Sequence, residues 1–365
     1  MLVKESIGVR QLAVLVTIMT IGDSLLVLPS ITAVYARQDA WISSLLGLLI
    51  GLPAVYLLAW IHHQYPKLTL YQYSDRLLGK AAGTGLTLLY LMYFFFNAAV
   101  LVREIGDFTV THFMRNTPIQ AVHILYISII VMGVRLGLEA LARTGEIFFP
   151  WFWILFLILV ICIAPQIDPR KLQPVFEHGL KPVLQGSLAA TAYPYLEISS
   201  LLAILPFVKQ ENGFRSSLLW GALLGGTAVS IFITLSIFVL GMYMTKSVMY
   251  PGYLLAQKIS IGHFLERIEA SLAIMWIITT YFKVTLNYFA LLLGLSHLLK
   301  LQEYKMLALP MAMILLVFSI FTVPNITYYI QLDEYWPFAD FTFSVLFPLL
   351  LLGVHALRTG KRSKA

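Results

Sequence analysis

The sequence predicts an all-α membrane protein of about ten transmembrane helices, folded as a five-plus-five inverted repeat whose first and sixth spans are broken. Three observations carry this. Of 365 residues, 59% are hydrophobic and 12% charged, with a mean hydropathy of +0.82. A soluble domain carries roughly 25% charged residues, so this chain cannot cover itself against water and its surroundings are lipid. Apolar runs recur near 11–35, 40–61, 84–113, 119–138, 146–164, 183–207, 214–243, 268–296, 306–323 and 338–357, each close to the roughly 20 residues that cross a bilayer. Finally, two of these runs carry poor helix interiors at mid-span, five runs apart.

The first run contains Thr20-Ile21-Gly22-Asp23-Ser24-Leu25 and the sixth Ala192-Tyr193-Pro194-Tyr195-Leu196-Glu197. Proline lacks a backbone donor and clashes with the preceding turn, and Gly-Asp-Ser disfavours helix. Interrupted helices in corresponding positions of two halves point to a transporter-type site. A single polytopic membrane domain, 1–365, is expected, with one repeat at about 11–164 and the other at about 183–357. The first run has no small-residue cleavage site after a short apolar core, so it reads as a retained helix. Proline, glycine and charge punctuate the gaps, as at Gln64-Tyr65-Pro66-Lys67 and Gln166-Ile167-Asp168-Pro169-Arg170.

Ten spans put both termini on one side. Of the 25 Lys and Arg residues, 15 fall on the terminal face and 8 on the other, while Arg103 and Lys283 lie within spans. Cytoplasmic loops carry the excess, so both termini are expected in the cytoplasm. The segments 165–182 and 244–267 are long, and the second is expected to hold short helices over the outer mouth, including the amphipathic stretch from Ile259 to Arg267. The net charge of +7 is scattered between apolar runs as topology requires, which argues against nucleic acid. The single cysteine, Cys162, has no partner for a disulfide.

Ionisable groups inside a span are costly and face a cavity or a partner. Asp23, Asn97, Glu197 and Lys283 sit at similar depth on the first, third, sixth and eighth spans. On the third span Tyr93, Asn97, Leu101 and Glu104 share a face, and Arg103 and Asp107 stand four apart as a pair. On the eighth, Trp276, Thr280, Lys283 and Asn287 line another face. These residues predict a ligand pocket lined by Gly22, Asp23, Ser24, Asn97, Tyr193, Tyr195 and Thr280. Freed N–H groups at the breaks suit a carboxylate and freed carbonyls an ammonium. Lys283, with Glu197, stands where an ion would otherwise sit, partnered by Asp23, Glu197 or a freed carbonyl. A static pair that only holds helices together remains the alternative.

Enzyme chemistry finds no support. His62 and His63 are adjacent and point to different sides of a helix end, Gly83-Thr84-Gly85 is a helix entry, and no nucleophile elbow or phosphate loop occurs. No metal or cofactor is called for.

Several motifs carry a family resemblance. The stretch Ile259 to Glu269, with Phe264-Leu265-Glu266-Arg267-Ile268-Glu269, resembles a signature before the eighth helix in B subunits of GerA-type spore germinant receptors. Leu70-Tyr71-Gln72-Tyr73 with Leu78-Gly79-Lys80, and Tyr193 to Glu197 followed by Pro206-Phe207-Val208, resemble further patterns of that spore germination permease family. The likeness runs from about residue 6 to 355. One departure is Leu196, where the family pattern has glycine; its bulk is expected to narrow the pocket or shift the break. The resemblance implies the LeuT/APC-like fold of the amino acid–polyamine–organocation superfamily. It further implies residence in the spore inner membrane, assembly with an A subunit and a lipoprotein C subunit, and sensing of a small amino-acid-like germinant. Glu266, Arg267 and Glu269 open the eighth helix, where acidic groups favour a helix N-terminus, so Arg267 and Glu269 are expected to serve folding or assembly rather than ligand contact. Composition alone leaves a proton-coupled, sodium-independent amino acid transporter equally open.

Overall fold

The computed structural model describes residues 6–209, 213–258, 268–324 and 326–362. The helices are α1 (Val9–Ile21), α2 (Ser24–Ala36), α3 (Ala40–Gln64), α4 (Leu70–Leu78), α5 (Lys80–His112), α6 (Ile119–Leu136), α7 (Leu138–Ile163) and α8 (Leu180–Thr191). They continue as α9 (Leu201–Ile204), α10 (Phe214–Ser247), α11 (Pro251–Gln257), α12 (Ile268–Leu298), α13 (Ala308–Phe321), α14 (Ile326–Phe341) and α15 (Phe347–Arg362). Among the described residues, nine helical stretches are long and apolar enough to cross a membrane. One of them, Ser24–Gln64, covers α2 and α3 joined by a tight turn at Arg37–Asp39. With α1 supplying the first half of the opening crossing, the chain makes ten passes.

The first pass breaks where the sequence predicts. Gly22 takes φ +36°, a backbone conformation that glycine adopts without a Cβ penalty, and α2 restarts at Ser24. In the sixth pass, α8 runs into a π-turn over Ala192–Leu196 and a 3₁₀ turn over Glu197–Ser200 before α9. Pro194 removes one donor there, so a wide turn replaces regular helix.

Beyond the second pass, α4 opens with a reciprocal cap between Thr69 and Gln72. Its Tyr71 hydroxyl donates to the Ala290 carbonyl of α12 at 2.6 Å. This fixes the Leu70–Tyr73 motif against the eighth pass. The long 165–182 segment contains short 3₁₀ turns at Ala164–Gln166 and Pro169–Leu172. It is tied to the α2–α3 turn, where the Asp39 carboxylate accepts from the Phe176 N–H at 3.0 Å. At the same end α11 is one of the expected short helices. Near it, Phe108 meets Tyr250, Tyr253 and Trp276 at ring separations of 5.0, 5.4 and 4.9 Å. The stretch from Ile259 to Arg267, including Glu266, lies outside the described residues, and Glu269 stands in the first turn of α12. At the terminal end Ile7 pairs with the strand-like tail of the sixth pass: its N–H donates to Phe207 at 3.0 Å and its carbonyl accepts from Lys209 at 2.9 Å.

The tenth pass corrects the sequence boundary. Helix begins at Ile326 rather than near 338, continues through Pro337, and passes a π-turn at Thr342–Leu346 into α15. Asp333 and Glu334 depress hydropathy there, which hid the first turns of this helix.

Candidate functional site

Breaking α1 from α2 leaves main-chain carbonyls with missing or long helical bonds, as the 3.3 Å one from Leu26 N–H to Asp23, and α12 supplies further donors. Thr279 Oγ1 donates to the Gly22 carbonyl at 2.8 Å, and the Trp276 indole N–H to the Asp23 carbonyl at 3.0 Å. Lys283, one turn further along the same face, is wholly buried. Its ammonium has three donors and three acceptors: the Asp23 carboxylate at 2.5 Å, the Tyr193 carbonyl at 3.0 Å, and the Glu197 carboxylate. One side chain on the eighth pass thus joins both broken helices. Both predicted carboxylate partners are engaged, and the freed carbonyl comes from the sixth pass instead of the first. Gly22 is needed for this approach, since a Cβ there would lie 2.6 Å from Lys283 Cδ.

Asp23, Asn97, Tyr193 and Glu197 line one small cavity with Val100, Leu101, Tyr329, Leu332, Asp333 and Trp336. Its volume is about 10 Å³, close to the room one water needs. An amino acid enters only when these side chains part. Asn97 is positioned by Asn287, whose Nδ2 donates to its Oδ1 at 2.5 Å.

The remaining predicted residues lie elsewhere. Tyr195 fills the space left by Gly51 of α3 and Gly226 of α10 and does not close over the cavity. Thr280 is buried outside the cavity lining; the adjacent Thr279 makes the contact to the break. Ser24 is fully buried beside the break, its hydroxyl without a hydrogen-bond partner. Leu196 does not line the cavity either; it ends the π-turn, and its carbonyl accepts from Ser344 at 2.5 Å.

The tenth pass supplies what the sequence reading missed. The Trp336 indole donates to Glu197 at 2.5 Å, the Tyr193 hydroxyl donates to Asp333 at 2.6 Å, and the Tyr93 hydroxyl donates to Asp340 at 2.7 Å. Asp333, Trp336 and Asp340 recur at helical spacing and share a face; that period was the available signal once the helix start is moved back. Glu104, on the outward continuation of the Asn97 face, is wholly buried with neither carboxylate oxygen hydrogen-bonded.

Charge is unbalanced here. Asp23, Glu197, Asp333, Asp340 and Glu104 stand around the single ammonium of Lys283 among the described residues, while Arg103 is committed to Asp107 at 2.8 Å and the Ile320 carbonyl at 3.1 Å. Isolated buried charges are expensive, so the cluster is built to hold cationic groups or protons. That suits reversible recognition of a small polar molecule better than bond-making chemistry.

Comparison with known proteins gives the setting. The sequence profile described as "Spore germination protein" matches residues 6–327. Spore germination protein KB of Bacillus subtilis (strain 168) is 31% identical over 99% of this chain and 98% of its own. Spore germination protein YndE of the same organism is 26% identical over 81% of this chain and 82% of its own. Among solved structures, MhsT in complex with L-phenylalanine aligns with a TM-score of 0.69 at 16% identity, covering 95% of this chain and 88% of MhsT. Mhp1, a nucleobase-cation-symport-1 family transporter in a closed conformation with bromovinylhydantoin bound, gives 0.68 at 10% identity, covering 93% and 78%. At these identities the structural likeness is one of fold, and it is the LeuT/APC-like fold that the sequence predicts. Family and fold neighbours are permeases or transporters rather than enzymes.

Proposed function

Because the chain belongs to the spore germination protein family, we propose that it is the membrane-embedded nutrient-sensing subunit, the B subunit, of a GerA-type germinant receptor. Its residues 11–164 and 183–357 form the two repeats of one membrane domain. The protein resides in the spore inner membrane with both termini cytoplasmic, and it works with an A subunit and a lipoprotein C subunit. Its germinant is small and amino-acid-like, and it binds where Asp23, Asn97, Tyr193 and Glu197 converge at mid-membrane.

The observation that carries this reading is the Lys283 ammonium, shared among Asp23, the Tyr193 carbonyl and Glu197. A cavity joined to both helix breaks couples ligand arrival to movement of both halves, as a sensor requires. The built-in ammonium also removes the need for a bound sodium ion. The same feature favours a second reading, a proton-coupled, sodium-independent amino acid transporter, because the fold neighbours are transporters.

The test is deletion of the gene in a spore former, followed by germination on single nutrients with and without sodium. Loss of germination to particular nutrients, restored by the gene and unaffected by sodium removal, is expected. Unchanged germination with reduced amino acid uptake selects the transporter, and strict sodium dependence refutes the role given to Lys283.

A further inference from the structure

A second recess, of about 300 Å³, lies at the end of the bundle where α2 and α10 finish, between α2, the Lys246–Met249 segment and α14. That size falls at the lower end of small-ligand pockets. Tyr329 and Asp333 line both this recess and the central cavity. They therefore form the partition between the two spaces. Asp333 makes no ion pair among the described residues; its carboxylate accepts the Tyr193 hydroxyl at 2.6 Å. Tyr193 in turn gives its carbonyl to Lys283 at 3.0 Å, so the partition is mechanically linked to the central ammonium. Glu334 and Tyr35 also line the recess, and Lys246 supplies a cation there.

We propose that this recess is a separate ligand site, met before the central cavity, which takes a primary ammonium group against the Asp333 carboxylate and releases that carboxylate from Tyr193. The proposal rests on the ligand-sensing reading above and adds the ligand's charge and path. The chemistry is direct: a carboxylate lacking a counter-ion, flanked by the tyrosine rings of Tyr329 and Tyr35, favours a cation by charge-assisted hydrogen bonding and ring–cation attraction. A carboxylate on the same ligand would face Lys246. A ligand with a carboxylate and no amine is excluded by Asp333 and Glu334.

Binding of ethylammonium, propionate and L-alanine to the full-length protein in lipid nanodiscs tests this by calorimetry, independently of germination. Ethylammonium and L-alanine bind and propionate does not. Asp333→Asn, which retains an acceptor for Tyr193, weakens ethylammonium about tenfold or more. Tyr193→Phe, which frees the carboxylate, tightens it several-fold. Ser30→Trp, which fills the recess and leaves the Asp333 carboxylate in the sequence, abolishes binding even if Asp333→Asn fails to accumulate. Asn97→Ala lowers the germinant response of spores, which reports on the central cavity, whereas the calorimetric loss in Ser30→Trp reports on the recess, so failure of the central site is distinguishable from failure of the recess. Propionate binding as well as ethylammonium, or wild-type ethylammonium affinity in Ser30→Trp, overturns the proposal.

Discussion

Replacing Lys283 with methionine keeps most of the length of the side chain and removes its charge. Asp23 and Glu197, each 2% exposed, then lose the ammonium they share. The Tyr193 carbonyl loses its donor in the same step. Removing one partner of a buried ion pair costs about 3–5 kcal/mol, because the stranded charge stays desolvated. At roughly 2 °C per kcal/mol for a chain of a few hundred residues, the thermal midpoint falls by about 6–10 °C. The assay is thermal unfolding of the detergent-solubilised protein, with germination of spores that hold normal amounts of the variant measured in parallel. The response to germinant is lost in the single variant. A triple variant, Asp23→Asn with Lys283→Met and Glu197→Gln, removes the charges together and recovers at least half of the lost midpoint. An unshifted midpoint in the single variant, or a triple variant no better than the single, would refute the argument that charge compensation holds the two breaks together.

Two further outcomes follow from the local geometry. Gly22→Leu places a side chain at φ +36° and against Lys283 Cδ, so germinant response should fall to background while membrane accumulation persists; a normal response removes the break from the site. Thr279→Val deletes the hydrogen bond to the Gly22 carbonyl and should destabilise by about 1–2 kcal/mol, whereas Thr280→Val should cost less; unfolding midpoints in the reverse order would overturn the assignment of the face.

The passes and their breaks were readable because lipid imposes a length and an apolar composition on each helix, and Gly22 and Pro194 announce themselves by backbone chemistry. The carboxylates beside Lys283 were readable for a related reason: a charge at mid-span demands a partner. Side-chain direction within a face was not. Thr279 and Thr280 are neighbours of one type, and only the approach of the Gly22 carbonyl separates them. Tyr195 follows the broken stretch as closely as Tyr193, yet two glycines on α3 and α10 draw it the other way. No periodicity within the sixth pass contains that information. Asp333 was hidden by its own polarity, because a hydropathy window treats a buried acid as loop; Asp340 lay inside the apolar run, but spacing does not reveal its partner Tyr93.

The short backbone pairing of Ile7 with Phe207 and Lys209 has a kinematic consequence. It yokes the start of α1 to the tail of the sixth pass, so the terminal-side halves of both interrupted helices share one hinge. Opening the bundle from that end must swing the two halves as one lever or tear both hydrogen bonds. The opposite halves, α2 and α8, lie beyond the breaks and are outside this yoke. The two ends of the bundle are therefore joined differently: by main-chain hydrogen bonds on the terminal side, and by side-by-side packing of α2 on α8 on the other.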